Sequence, residues 1–220
     1  MNTRKLAPLA LPLLALAVSC GGEEEIEVPV GGAKYRATLN AEWSSTTHPD
    51  MFPSNPHFSP LIGAAHAAPD LLWREGGSAT RGIEVMAETG KTGDLSSEVE
   101  QAIQSGDALA VVSGGGVNPS PGAASATFAV SPEHPLLTLV TMIAPSPDWF
   151  VGVNSVDLID GGKWRDRVEL DLFAYDGGTD SGGTFDADDV ETYPRGAIAR
   201  LQGGVFDLRF GTLVVERLPD

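Results

Sequence analysis

Apolar and polar positions alternate most cleanly over Lys34–Trp43. Tyr35, Ala37, Leu39, Ala41 and Trp43 fall on one side, and Arg36, Thr38, Asn40 and Glu42 on the other. A period of two predicts a strand with one buried face. Val168, Leu170 and Leu172 set against Glu169 and Asp171 predict another. Ser125–Val130 alternates weakly, and Leu136–Ala144 is strongly apolar, as suits a central strand. Trp149–Val153 and Val156–Ile159 predict one bent strand or two. Val205–Phe210 and Thr212–Arg217 predict a final pair joined close to Gly211. Helical spacing is convincing only at Leu95, Val99, Ala102 and Ile103, with Asp94 as the expected cap. Residues 44–60 are polar and proline-rich and predict a long ordered loop, while Leu61–Trp73 has room for a helical turn or two. Val111-Val112 runs into Gly114-Gly115-Gly116 and Asn118-Pro119-Ser120-Pro121, a turn-rich connection. Many short strands broken by glycine and proline predict an all-β fold: an antiparallel β-sandwich with one short helix and long ordered loops, forming one domain over residues 30–218.

The first residues follow a different pattern. Arg4 and Lys5 precede an apolar run, Leu6–Val18, broken only by Pro8 and Pro12. A helix of that length spans about 20 Å, short of a hydrocarbon core of about 30 Å, so residues 1–19 read as a signal peptide. The run ends Ala17-Val18-Ser19-Cys20, which resembles a bacterial lipoprotein signal in which the cysteine is lipidated. Cys20 is therefore the expected lipid anchor, and residues 20–29, with Glu23-Glu24-Glu25, the expected acidic tether. Gly21 after the cysteine leans towards the outer membrane of a bacterial cell envelope, on its periplasmic or cell-surface side. Cys20 is also the only cysteine, which excludes an intramolecular disulfide, cysteine zinc sites and iron–sulfur clusters.

Charge narrows the partners. The chain carries 30 acidic and 14 basic side chains, a formal net charge of -16. Such a field repels nucleic acid and anionic bilayers and attracts divalent cations. Signs of catalysis are weak. His48, His57, His66 and His134 are the only histidines and form no His-Glu-x-x-His motif. A metal-dependent hydrolase would have to draw on His48 and His57 in the long loop. No Gly-x-Ser-x-Gly elbow occurs. Gly90-Lys91-Thr92 imitates the end of a phosphate loop, but Val85 stands where its first glycine belongs, which argues against nucleotide binding. Trp43, Trp73, Trp149 and Trp164 would favour a carbohydrate-binding module if they clustered in the open on one face. Asp186, Asp188 and Asp189 read as a solvated loop.

Two stretches carry the candidate chemistry: Pro145-Ser146-Pro147-Asp148-Trp149-Phe150 and Tyr175-Asp176-Gly177-Gly178-Thr179-Asp180-Ser181-Gly182. Each sets aspartate among prolines or glycines beside an aromatic. Turns of this kind hold carboxylates and carbonyls in place, which suits a hard, oxygen-ligated cation, calcium first. Asp176 and Asp180 are spaced so that the chain can curl round one ion, with Asp148 approaching from a neighbouring loop. Aspartate beside glycine also serves simply as an acceptor of turn hydrogen bonds.

Three segments in order resemble the spondin N-terminal domain family, the F-spondin/mindin-like domain found also in short bacterial proteins. The first holds Trp43-Ser44, Thr47-His48-Pro49 and His57-Phe58-Ser59-Pro60-Leu61-Ile62-Gly63. The second runs from Leu72-Trp73 through Ala87-Glu88-Thr89-Gly90. The third runs from His134-Pro135-Leu136 through Pro145–Val153 and on to the second aspartate loop. The resemblance covers roughly residues 33 to 217. It implies a C2-like β-sandwich, a calcium ion (Ca2+) held by Asp148, Asp176 and Asp180, and adhesion rather than catalysis. The chain departs from animal members in that its single cysteine allows no internal disulfide and it carries no Asn-x-Ser/Thr sequon, and no second module is expected within a chain that the resemblance nearly fills. The expectation is a non-enzymatic, calcium-binding extracytoplasmic lipoprotein domain that contacts a surface or matrix protein or a glycan.

Overall fold

The computed structural model describes residues 31–219. The expected signal peptide, Cys20 and the acidic tether lie outside the described residues. Among these residues thirteen strands form, in chain order: β1 Ala33–Ala41, β2 His57–Phe58, β3 Ile62–His66, β4 Ala108–Ser113, β5 Gly122–Val130, β6 Leu136–Ala144, β7 Trp149–Asp157, β8 Ile159–Asp160, β9 Lys163–Trp164, β10 Arg167–Leu172, β11 Ala174–Asp176, β12 Ala199–Arg200 and β13 Gly211–Arg217. The helices are α1 Arg81–Thr89 and α2 Gly93–Ser105, and a short 3-10 turn spans Gly204–Asp207. All pairings between these strands are antiparallel.

One sheet has the order β10-β13-β1-β5. The other runs β12-β11-β7-β6-β3-β4, with β2 also on β6, and β8 and β9 form a separate ribbon. The alternation in β1 is used as the sequence implies: Tyr35, Ala37 and Leu39 are buried between the sheets. β6 is buried on both sides because three layers meet there. Leu137, Leu139 and Ile143 join the core between the sheets, while Val140, Met142 and Ala144 face a second core under α1 and α2. A strand covered on both faces reads as a continuous apolar run, as Leu136–Ala144 does. β7 divides likewise, with Trp149, Val151 and Val153 in the first core and Phe150 in the second.

Four local expectations give way to tertiary contacts. Leu61–Trp73 holds strand β3 and turns, not a helical turn, since Ile62 and Ala64 are needed under the helices. A second helix, α1, precedes the expected one. Thr80 caps it by accepting from the Ile83 N–H, and Gly90 closes it at φ 69°. Asp94 does not cap α2; Thr92 holds that position, and Asp94 lies in the first turn, where its charge favours the helix N-terminus. Residues 205–217 make no hairpin. The 3-10 turn and Phe210 precede Gly211, and β13 inserts between β1 and β10. Gly211 has its α-carbon against the Asn40 carbonyl, where a β-carbon would collide.

Candidate functional site

Strand register brings the two aspartate loops together. β7 and β11 pair antiparallel with Trp149 opposite Asp176. The ladder then continues past the strand ends, and the Gly177 N–H donates to the Asp148 carbonyl at 3.1 Å. Asp148, just before β7, and the 176–180 loop, just after β11, therefore occupy the same end of the sandwich. Beneath them lies an aromatic floor. Trp149 packs edge-on against Phe185 and Phe206, and Trp43 packs against Phe52, Phe58, Phe185 and Phe210.

Asp148 is 0% exposed. Its Oδ2 accepts from the Thr179 N–H (2.7 Å), the Asp180 N–H (3.1 Å) and the Thr179 hydroxyl (3.2 Å). Its Oδ1 is buried with no hydrogen-bond partner. A buried polar atom left unpaired is costly and calls for an explanation. Asp176 Oδ1 accepts from the Gly178 N–H at 2.7 Å. Asp180 accepts at both oxygens, from the Gly182 N–H (2.6 Å) and the Val190 N–H (2.7 Å). Gly178 has φ +74°, and a β-carbon there would stand 2.7 Å from the Gly196 backbone, so the loop needs glycine at this point.

The Asp176 carboxyl feels its two neighbours. Burial first, and then the negative charge of Asp148, push the Asp176 carboxyl above the usual range; Asp180 adds to this, and the Gly178 N–H opposes it. Like charges held out of water disfavour ionisation, the condition that a divalent cation relieves. Among the described residues, however, no three His, Cys, Asp or Glu side chains stand together as a ready cation cage. The loops hold their carboxylates mainly on backbone N–H groups, as the turn-acceptor reading expects. Asp148 Oδ1 is the oxygen of the three carboxyls that is both buried and unpaired.

Two residues at this end escaped the sequence reading. Thr179 contributes its N–H and hydroxyl to Asp148. Glu88, on the last turn of α1, meets the Thr179 hydroxyl, and its carboxyl is pushed up by burial first, with Glu84, Asp189 and Asp148 adding their charges. The Ala87–Gly90 motif pointed to this region, but nothing in local periodicity tells that Glu88 reaches a loop so distant in sequence.

The remaining candidates have structural roles. His48 is buried, with Nδ1 on the Thr47 hydroxyl and its ring on Phe210. His57 Nδ1 bonds the Asn55 carbonyl. His66 bonds the Ala68 carbonyl and the Thr138 hydroxyl, and His134 bonds Ser131 and the Gly106 carbonyl. His48 and His57 thus each have local partners of their own rather than a shared centre. Trp43, Trp73, Trp149 and Trp164 are all buried, so none offers an open face for stacking on a sugar. Gly90 is the αL residue that ends α1. Asp186, Asp188 and Asp189 are exposed, as expected of a solvated loop.

The chain is similar to known proteins over most of its described length. The family model described as Spondin_N matches residues 33–206. Spondin-2 of Homo sapiens is 38% identical over 205 residues, covering 90% of this chain and 61% of the relative. Spondin-2 of Rattus norvegicus is 36% identical over 202 residues, covering 86% and 60%. Spondin-1 of Gallus gallus is 38% identical over 180 residues, covering 78% of this chain and 22% of the relative. The chain thus spans about three fifths of the length of the spondin-2 relatives and about a fifth of the spondin-1 relative.

Proposed function

Since this chain belongs to the Spondin_N family, we propose that it is a non-catalytic extracellular interaction module, serving adhesion to a surface or matrix component, with one calcium ion tying its two aspartate loops together. The observation that carries the calcium reading is Asp148: a carboxylate removed from solvent, with one oxygen unpaired, beside the charges of Asp176 and Asp180. Asp148, Asp176 and Asp180 would hold the ion. An oxygen that already accepts an N–H keeps a second lone pair, so the backbone bonds do not bar ligation. Loop carbonyls and water would complete a coordination shell of the size calcium takes. The ion would supply positive charge where burial and the neighbouring carboxylates otherwise work against an ionised Asp176.

At the other end of the chain, the same reading has Cys20 lipidated and the domain held on a bacterial envelope by the 20–29 tether, with the outer membrane as its site. The sequence pattern before Cys20 supports this.

Calorimetric titration of calcium into chelator-treated protein tests the central claim. One binding event is expected, weakened by Asp176→Asn, which keeps the side chain's size and removes its charge. Absence of any heat or stabilisation with calcium at low ionic strength would overturn it.

A further inference from the structure

The segment 181–196 folds back over the aspartate loops and is tied down along its length. The Ser181 N–H donates to the Val190 carbonyl (2.9 Å), Val190 N–H to Asp180 Oδ2 (2.7 Å), Thr192 N–H to the Thr179 carbonyl (2.8 Å) and Gly196 N–H to the Gly178 carbonyl (2.8 Å). Phe185 is buried against Trp43 and Trp149 and anchors it from below. A loop held this way presents its outward side chains from a fixed base.

What it presents is unusual. Tyr193 is 93% exposed and Val190 53%, the two most exposed large apolar side chains among the described residues. The same segment carries Asp186, Asp188, Asp189 and Glu191, all exposed and outside the ion pairs found among the described residues. Arg195, the cation next along the chain, is already held by Glu84 at 2.7 and 2.8 Å. An aromatic ring left in water on a segment with four exposed carboxylates complements one kind of surface.

We propose that the Asp186–Tyr193 tip is a docking platform for a cationic, Lys/Arg-rich segment of a partner protein. The partner's ammonium or guanidinium groups would meet the carboxylates, and one of them would lie over the Tyr193 ring. The aliphatic stem of such a side chain would cover Val190. An anionic bilayer or a sulfated glycan meets four like charges here, and a neutral sugar leaves those charges unused. The proposal does not rest on the calcium reading; the platform is built from hydrogen bonds and the Phe185 anchor.

The test uses a fluorescein-labelled oligo-arginine peptide and fluorescence anisotropy at about 0.15 M salt, where long-range attraction is largely screened. Tyr193→Ala is expected to weaken binding about fivefold. The triple variant D186N/D188N/D189N is expected to weaken it more than D50N/E100Q/E133Q, which removes the same charge from exposed positions elsewhere. All variants should keep the melting temperature, since every altered side chain is exposed. Equal losses in the two triple variants would reduce the effect to net charge and overturn the proposal. Tyr193→Ala binding as tightly as the unmutated chain would also overturn it. So would calcium-dependent binding to phosphatidylserine vesicles that needs Tyr193 while the peptide is held regardless of the tip.

Discussion

Replacing Asp148 separates its two jobs. Asp148→Ala removes the acceptor for the Thr179 and Asp180 N–H groups, on residues themselves buried. An unsatisfied buried donor costs about 1–3 kcal/mol, so the two together cost about 2–6 kcal/mol. For a domain of this size 1 kcal/mol moves Tm by about 2–4 °C, which gives a fall of about 4–24 °C in chelator. Asp148→Asn behaves differently. Its amide oxygen can take the place of Oδ2 and keep both N–H bonds, while the NH2 group takes the place of Oδ1, which has no partner to lose. The substitution also removes one of three neighbouring negative charges. Its stability in chelator should stay within about 1 kcal/mol of the unmutated chain. Calcium at a hundredfold excess over Kd stabilises a folded protein by about 2.7 kcal/mol, and Asp148→Asn should lose most of that gain. Thermal melts followed by circular dichroism, in chelator and in calcium, measure both. Equal falls for the two variants in chelator would refute the hydrogen-bond account of Asp148. A full calcium gain in Asp148→Asn would refute its role as a ligand.

Glu98 reaches from α2 to the start of α1, accepting from the Gly82 N–H and the Thr80 hydroxyl at 2.7 Å each; Glu98→Ala should cost about 1–3 kcal/mol in urea unfolding, and an unchanged midpoint would show that α1 does not depend on this cap. His48 is held below its ordinary pKa by burial, with the Glu42 charge opposing. Its folded form resists a proton that the unfolded chain accepts, so its contribution to stability is lost as pH falls below about 6.5. His48→Gln should therefore reduce the loss of stability between pH 7.5 and 5.5, as read by urea titration at both pH values, and His66 acts in the same direction. For the anchor, mass spectrometry of membrane-extracted protein should find a lipidated Cys20 at the mature terminus, and an unmodified terminus elsewhere would remove lipidation from the proposal.

Much of this was decided by the sequence alone. Period-two alternation placed β1 and β10 because a strand with one wet face must write its burial into every second residue. The apolar run of β6 and the proline- and glycine-bound aspartates of the candidate site were equally legible, since local composition dictates them. Tertiary structure decided the rest. Nothing local distinguishes a hairpin at Gly211 from a strand slotted between β1 and β10; the choice is made by partners far along the chain. Helix α1 has its signals in Thr80 and Gly90, but its stripe includes Gly82 and the buried Glu84. That pattern becomes sensible only when Glu98 caps it and Arg195 neutralises Glu84. The candidate site shows the same division. Aspartates in turns can be read from composition, but which oxygens the backbone satisfies, and that Asp148 Oδ1 is left over, depends on the β7–β11 register. Register is a property of pairing between segments, so no segment carries it by itself.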